Sequence, residues 1–510
     1  MMIRKIWRAG FLATLLFLAS CGTKTEYTHA LPKNASMVTA MEVDAMARKA
    51  GLNGKEGESV AKKLKALLKD GLQHDAAQLA GRLVDDPSES GLSLDDKVYL
   101  FTTPHAEALA LLAKVEEESK VKKLLEALVK ENIATPLKEE SGCQWTKIGK
   151  VICAFNDGTF LLLQPSKGDA MSMKSTLLSL MRQQEGEGFS SLPEFEKVQA
   201  KGNDIASVVN GNAVPRSLTT TLRMGLSANI ALEDIKYLVT GNFEEGRVVL
   251  RSESLVQNQR IAEFFDNMDK VMRSIQGKYL DAYQGNTTFW MGGNVKGKEL
   301  YDMLRRNPSI RQQLDNPPLP VDVASIFAAI DGDVAIGLNS LHNGDWMLYA
   351  DVTQSHFLKT FEELRPLLAL TGGQITLDTV GKDEYLMCTY YGNFWFGVKN
   401  NRLYVTTNRT WAEEAFRTYG ASLGVKPWAS EVKDNRLYAS LRLSGKDVMQ
   451  VLVNQLLGGQ KASAFAKPVL GGVECLSVSM TDWRHGQAEL LLKDKKANLL
   501  QLMVEMFGGM

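Results

Sequence analysis

The feature that most constrains this chain is a recurrence along its 510 residues. Residues 36–43 read as a strand that runs past Asp44 into a helix. Residues 287–293 read the same way, before a helix over 298–306. The same unit recurs at 204–209, running through Asn210-Gly211 into the next segment, and at 437–443, through Ser444-Gly445 into a helix over 447–457. Pro193-Glu194-Phe195 precedes the one and Pro427-Trp428-Ala429 the other. The turn and strand at 157–163 have a counterpart at 400–406. A strand at 247–253 with a helix at 257–275 has one at 487–493 with 496–507. The offsets all lie near an interval of about 240 residues and keep one order, which is how a duplicated chain reads. The expectation is two diverged halves, 31–280 and 285–510, joined by a few residues.

The elements themselves follow from period. Val121, Leu124, Leu125, Leu128 and Val129 make one helical stripe; Ile261, Phe264, Phe265, Met268, Val271, Met272 and Ile275 make the longest. Val60, Leu64, Leu67 and Leu68 predict helices inserted between 58 and 83, so the first half is expected to be rich in helix. The second half reads as meandering strands at 333–340, 345–352, 374–380, 384–391, 394–398 and 403–407, with Asn316-Pro317-Pro318-Leu319-Pro320 as a rigid linker. The expected class is α+β: two diverged repeats, each with helices packed on a mostly antiparallel sheet.

Charge excludes several functions. Lys and Arg number 59, as do Asp and Glu, so the balance is zero. A nucleic-acid binder carries a basic excess or stripe, and neither is present. The composition is that of a globular protein, not of a disordered or polytopic membrane chain.

The first twenty residues read as a targeting segment. Arg4, Lys5 and Arg8 precede a short apolar run over 11–19, and Leu18-Ala19-Ser20-Cys21 ends it. Small residues before a cysteine resemble the lipobox of bacterial lipoproteins, which implies cleavage before Cys21 and its lipidation. The mature chain then loses three basic residues and no acidic ones, leaving a charge of −3. Gly22 stands where an Asp would resemble an inner-membrane retention signal, and no acidic cluster follows. The expected location is the outer membrane, on its periplasmic face. This lipobox, the Tyr27…Leu31-Pro32-x-Asn34-Ala35 opening, the strand-to-helix step and the length resemble a family of uncharacterised Bacteroidetes lipoproteins, a domain of unknown function. That resemblance implies a compartment and a lineage and supplies no activity. In such organisms Asp378-Thr379-Val380 resembles the site at which exported proteins are O-glycosylated, which would put the glycan on Thr379.

An exported chain meets an oxidising compartment, where cysteines can pair. Cys143 and Cys153 flank a hairpin centred near Ile148, which would set them opposite each other, within disulfide reach. Two buried free thiols are the alternative, because a register shift destroys that geometry.

Motifs for catalysis are weak. Gly292-Gly293-Asn294-Val295-Lys296-Gly297-Lys298 fits a phosphate loop, but Glu299 stands where a Ser or Thr must hold Mg²⁺, so nucleotide binding is not expected. Ser59-Val60-Ala61-Lys62 matches S-x-x-K without the partner motifs of penicillin-recognising enzymes. The six histidines (His29, His74, His105, His342, His356 and His485) have no metal-ligand spacing. Asp331-Gly332-Asp333 reads as a helix-to-strand turn without a calcium loop's later ligands. No cofactor is expected. The aromatic run Tyr390-Tyr391-Gly392-Asn393-Phe394-Trp395-Phe396 predicts a hairpin turning at Gly392-Asn393, pairing Tyr391 with Phe394 and Tyr390 with Trp395. One face can be core and the other a platform for a sugar, a peptide or a lipid tail.

Two functions remain open. One is a lipid-anchored, non-enzymatic envelope protein that binds another protein, a glycan or an apolar ligand in a cleft between its two halves, with this hairpin as a wall of that cleft. The other is an envelope hydrolase whose site is assembled from residues distant in sequence.

Overall fold

The computed structural model describes residues 26–509 except 53–56, 59–60, 63–64, 66–73, 94, 105–106, 215–231, 318–319, 340–343 and 444–470. It is a mixture of helices and antiparallel strands, which establishes the α+β class. The chain forms two compact units.

The first unit takes the described residues up to Val214, then Lys236–Leu250 and those from Asp494. Its strands are β1 (Met37–Met41), β2 (Val98–Thr102), β3 (Ala108–Lys114), β4 (Lys138–Glu140), β5 (Cys143–Ile148), β6 (Val151–Phe155), β7 (Thr159–Pro165), β8 (Ile205–Asn210), β9 (Ile235–Glu244) and the start of β10 (Arg247–Val256). Pairing sets the order β4-β5-β6-β7-β3-β2-β1-β8-β9-β10. Side chains alternate across a strand, so β6 feeds two cores. Ile152 and Ala154 pack on one face with Leu177, Leu178 and Met181 of the helix Lys174–Met181. Cys153 and Phe155 pack on the other with Val121, Leu125 and Leu128 of the helix Glu118–Lys130. Burying such a side chain contributes about 1.5–3 kcal/mol.

The second unit takes the described residues 232–235 and Arg251–Lys493. Its strands are β11 (Met272–Arg273), β12 (Phe289–Lys296), β13 (Ile330–Leu338), β14 (Trp346–Val352), β15 (Thr376–Gly381), β16 (Glu384–Thr389), β17 (Gly392–Lys399), β18 (Arg402–Thr406), β19 (Leu437–Arg442), β20 (Val473–Met480) and β21 (His485–Leu492). They are ordered β15-β16-β17-β18-β14-β13-β12-β19-β20-β21, with the short β11 beside the end of β12. One face carries an aromatic core of Tyr279, Tyr283, Trp290, Tyr349, Tyr404 and Tyr438; the other buries Val352, Phe357, Leu364, Leu368, Tyr385 and Phe396.

These units differ from the halves 31–280 and 285–510 in where the terminal helices belong. The helix Gln259–Val271 lies in the second unit, where Met268 and Val271 pack against Met303. The helix Leu499–Gly509 lies in the first, against the helix Val43–Lys49. Of the helices expected between 58 and 83, His74–Asp85 is seen, and most of 59–73 lies outside the described residues. β3, whose sequence Ala-Leu-Ala-Leu-Leu-Ala-Lys suits a helix, is a strand because neighbours on both sides pair with it. Asp44 is not a cap but lies in the helix's first turn, paired with Arg48. The helix expected over 447–457 lies outside the described residues.

Candidate functional site

The aromatic hairpin forms, but it turns two residues earlier than its sequence suggests. Thr389 pairs with Gly392 and Leu386 with Trp395, so Tyr390 and Tyr391 are the turn. Thr389 closes it: its hydroxyl accepts from the Tyr391 N–H at 3.1 Å and donates to the Gly392 carbonyl at 3.0 Å. Gly392 adopts φ 127°, a left-handed value that a side chain would oppose. The Gly392-Asn393 turn and the pairs Tyr391–Phe394 and Tyr390–Trp395 are therefore not formed. The four candidate contact residues also separate. Phe394 packs beside Trp346, ring centres 6.3 Å apart, and Trp395 packs on the aromatic core. Tyr390 and Tyr391 are 69% and 94% exposed. The Tyr390 hydroxyl donates to the Gln374 side chain, which ties the tip to the segment ahead of β15. Leu370, in that segment, is 83% exposed.

The tip is also free of charge. Residues 366–377 and 385–398 contain no Asp, Glu, Lys or Arg. The hairpin in the corresponding place of the first unit, β5–β6, turns at Gly149-Lys150 and has Lys147 near its tip and Glu139 and Glu140 on the adjoining edge strand. A two-residue connection here needs no aromatic pair.

A second cluster gathers polar groups around β13. Asp333 is buried and accepts from the backbone N–H groups of Gln276 at 2.9 Å and Lys278 at 3.1 Å and from the Asn294 amide at 2.8 Å. Asp351 accepts from the Tyr279 hydroxyl at 2.8 Å, from Lys278 Nζ at 2.7 Å and from the Asp333 N–H at 3.0 Å. Asp331-Gly332-Asp333 is thus a bulged stretch of β13, not a turn, and Gly332 leaves room for Asp351 where a Cβ would meet its carboxylate at 2.4 Å. Burial, then the Asp351 charge, hold the Tyr279 phenol far above its ordinary range. It stays protonated and donates, so it is a positioning group and not a base. Phe416, at φ 67°, stacks within this centre against Tyr349 and beneath the Arg402 guanidinium, 4.3 Å from its ring centre. The adjoining cavity, lined by Tyr283, Gln284, Asn339, Tyr349 and Trp411 among others, has about 20 Å³ of space, room for one water molecule. The carboxylates face their own partners, not a substrate-sized space.

The remaining sequence candidates are scattered. Cys21 and Ser59 lie outside the described residues, as do His105 and His342. Among the described residues no three His, Cys, Asp or Glu side chains are placed to hold a metal ion. Residues 292–296 belong to β12, paired with β13 along their whole length, so the phosphate-loop pattern is strand and not loop. Cys143 and Cys153 are unbridged. The turn at Gly149-Lys150 sets Cys153 opposite Thr146 and points the two thiols to opposite faces of the sheet. Thr379 is exposed on the edge strand β15, where its hydroxyl accepts from Arg365 at 2.6 Å. No helix among the described residues is long and apolar enough to cross a membrane.

Comparisons with known proteins are sparse. No curated protein matches. Among solved structures, crystal form I of TP0453 is similar at 10% identity and a TM-score of 0.27, over 48% of this chain and 87% of that one. Crystal form III matches at 11% and 0.27, over 49% and 90%. Scores this low carry no argument about architecture. A family model matches residues 27–500, nearly the whole of the described chain, and on that match the chain belongs to the family described as domain of unknown function DUF4836.

Proposed function

We propose that this is a lipid-anchored envelope protein of two diverged repeats, with a non-enzymatic binding role exercised through the Tyr390–Tyr391 tip. The observation that carries the reading is the tip itself: two adjacent, exposed tyrosines on a hairpin whose residues 385–398 carry no charge, at a turn that the first unit makes with Gly149-Lys150. Aromatic side chains with an apolar body and a polar end are typical of contact surfaces. The lipobox ending at Cys21 supports the anchor and, with Gly22, placement at the outer membrane.

Three further agreements support the repeats. The two strand orders correspond one for one, β4 with β15 through β10 with β21. The register agrees where it is set by the recurrent units: Met37 pairs with Val209 and Phe289 with Leu441. Each opening segment is tied alike, Phe189 N–H donating to the Leu31 carbonyl at 2.8 Å and Leu423 N–H to that of Tyr283 at 3.0 Å.

The test is complementation. Cells lacking the gene would receive the wild type, Tyr390→Ser/Tyr391→Ser or Lys150→Ser. The double variant should accumulate and fold normally yet behave like the deletion, while Lys150→Ser restores growth under every condition in which the deletion impairs it. Full rescue by the double variant would refute a role for the tip.

A further inference from the structure

The chemistry of the tip also identifies what it touches. We propose that Tyr390, Tyr391 and Leu370 enter the boundary between headgroups and acyl chains of a lipid bilayer, so that the second unit is held to the membrane independently of the N-terminal anchor. This rests on the envelope reading above and adds a partner to it.

Three observations favour lipid over a protein or glycan. The first is shape: a two-residue turn projects and offers no hollow, and its most exposed side chain is Tyr391. Small-molecule and sugar sites are concave. The second is charge. Any ionised group carried into the bilayer costs several kcal/mol, and residues 366–377 and 385–398 have none. A protein contact would tolerate charge at its rim; the absence extends beyond the turn on both segments. The third is residue type. Tyrosine is enriched at the membrane–water boundary because its ring sits among apolar chains while its hydroxyl meets the headgroups. Leu370 adds an aliphatic side chain on a segment joined to the tip by the Tyr390–Gln374 hydrogen bond. The first unit's hairpin, with Lys147 and Lys150, is a built-in control that should remain in water.

The experiment uses the full acylated chain with vesicles of phosphatidylethanolamine and phosphatidylglycerol. In a Cys388→Ser background, an environment-sensitive fluorophore is attached at Tyr391→Cys or at Lys150→Cys, and quenchers are carried on the lipid acyl chains. Flotation of the vesicles reads the anchor separately. The proposal expects a blue-shifted fluorophore at 391, quenched at least threefold more than at 150. It also expects Leu370→Ser/Tyr390→Ser to bring quenching at 391 down to the value at 150. Equal quenching at the two positions overturns the proposal whether or not the chain floats. A tip that cross-links to an envelope protein or glycan while escaping lipid quenching overturns it as well. A preparation whose mass shows no acyl group, still quenched strongly at 391, leaves the tip assignment supported and removes the anchor.

Discussion

Gly337 leaves the space that the Tyr283 ring occupies: a Cβ at that glycine would lie 2.5 Å from Cε1 of the ring. The ring is fixed from its other end, where the hydroxyl donates to the carbonyls of Ala335 at 2.9 Å and Met347 at 3.1 Å. It therefore has no direction in which to yield. Gly337→Ala should destabilise the second unit by about 2 kcal/mol through overpacking. In a Tyr283→Leu background the same substitution should cost clearly less, a coupling that a double-mutant cycle resolves. Tryptophan fluorescence during urea unfolding reads this unit, since Trp290, Trp346, Trp395, Trp411, Trp428 and Trp483 all belong to it. Equal costs in both backgrounds would contradict the steric account.

Asp333, itself buried, accepts from three donors, and the Asn294 amide among them is buried with it. Asp333→Ala leaves them unsatisfied, and each unmade buried hydrogen bond costs about 1–3 kcal/mol. A loss of about 3 kcal/mol or more is expected by the same fluorescence measurement, with Asp333→Asn losing less because one amide oxygen still accepts. A change below about 0.5 kcal/mol for the alanine variant, typical of a surface position, would show that the network does not support the unit.

Much of this architecture is legible from the residues, and the failures have causes. The strand-to-helix step at 36–43 and its return at 287–293 are real strands followed by helices, because β-branched and aromatic residues there alternate with the pleat. β3 was hidden by its Ala-Leu composition, since pairing on both sides overrides propensity. The hairpin was misplaced because Gly392-Asn393 is a strong turn signal, whereas the turn is closed by the Thr389 hydroxyl, a local bond that no pattern of hydrophobicity encodes. Asp-Gly-Asp reads as a turn, whereas the role of Asp333 comes from donors at 276, 278 and 294 that only the fold brings together.

The thiols offer a direct check of register. Burial pushes the Cys153 thiol up to about 12, so at pH 8 only about one molecule in ten thousand would carry the reactive thiolate. Iodoacetamide should leave Cys153 unmodified in the native protein and modify it fully after denaturation without reductant. A Cys143–Cys153 linked peptide in the mass spectrum would contradict the β5–β6 register, which places the two on opposite faces.

Cutting the chain between its halves should separate each unit from a helix it needs. Ile261 and Phe265 are fully buried in the second unit, though they precede the boundary at 280–285. Burial of such side chains contributes about 1.5–3 kcal/mol each. Fragments 31–280 and 285–510 should each be sensitive to protease when made alone and should copurify when made together. Two independently resistant fragments would argue that the terminal helices return to their own halves.

The anchor is the claim on which the envelope reading most depends. Mass spectrometry of the N-terminal peptide from the native membrane fraction tests it at the atom concerned. The account predicts a chain that begins at Cys21 with a diacylglyceryl thioether and an acylated amine. A native N-terminus elsewhere, or an unmodified Cys21, would contradict it.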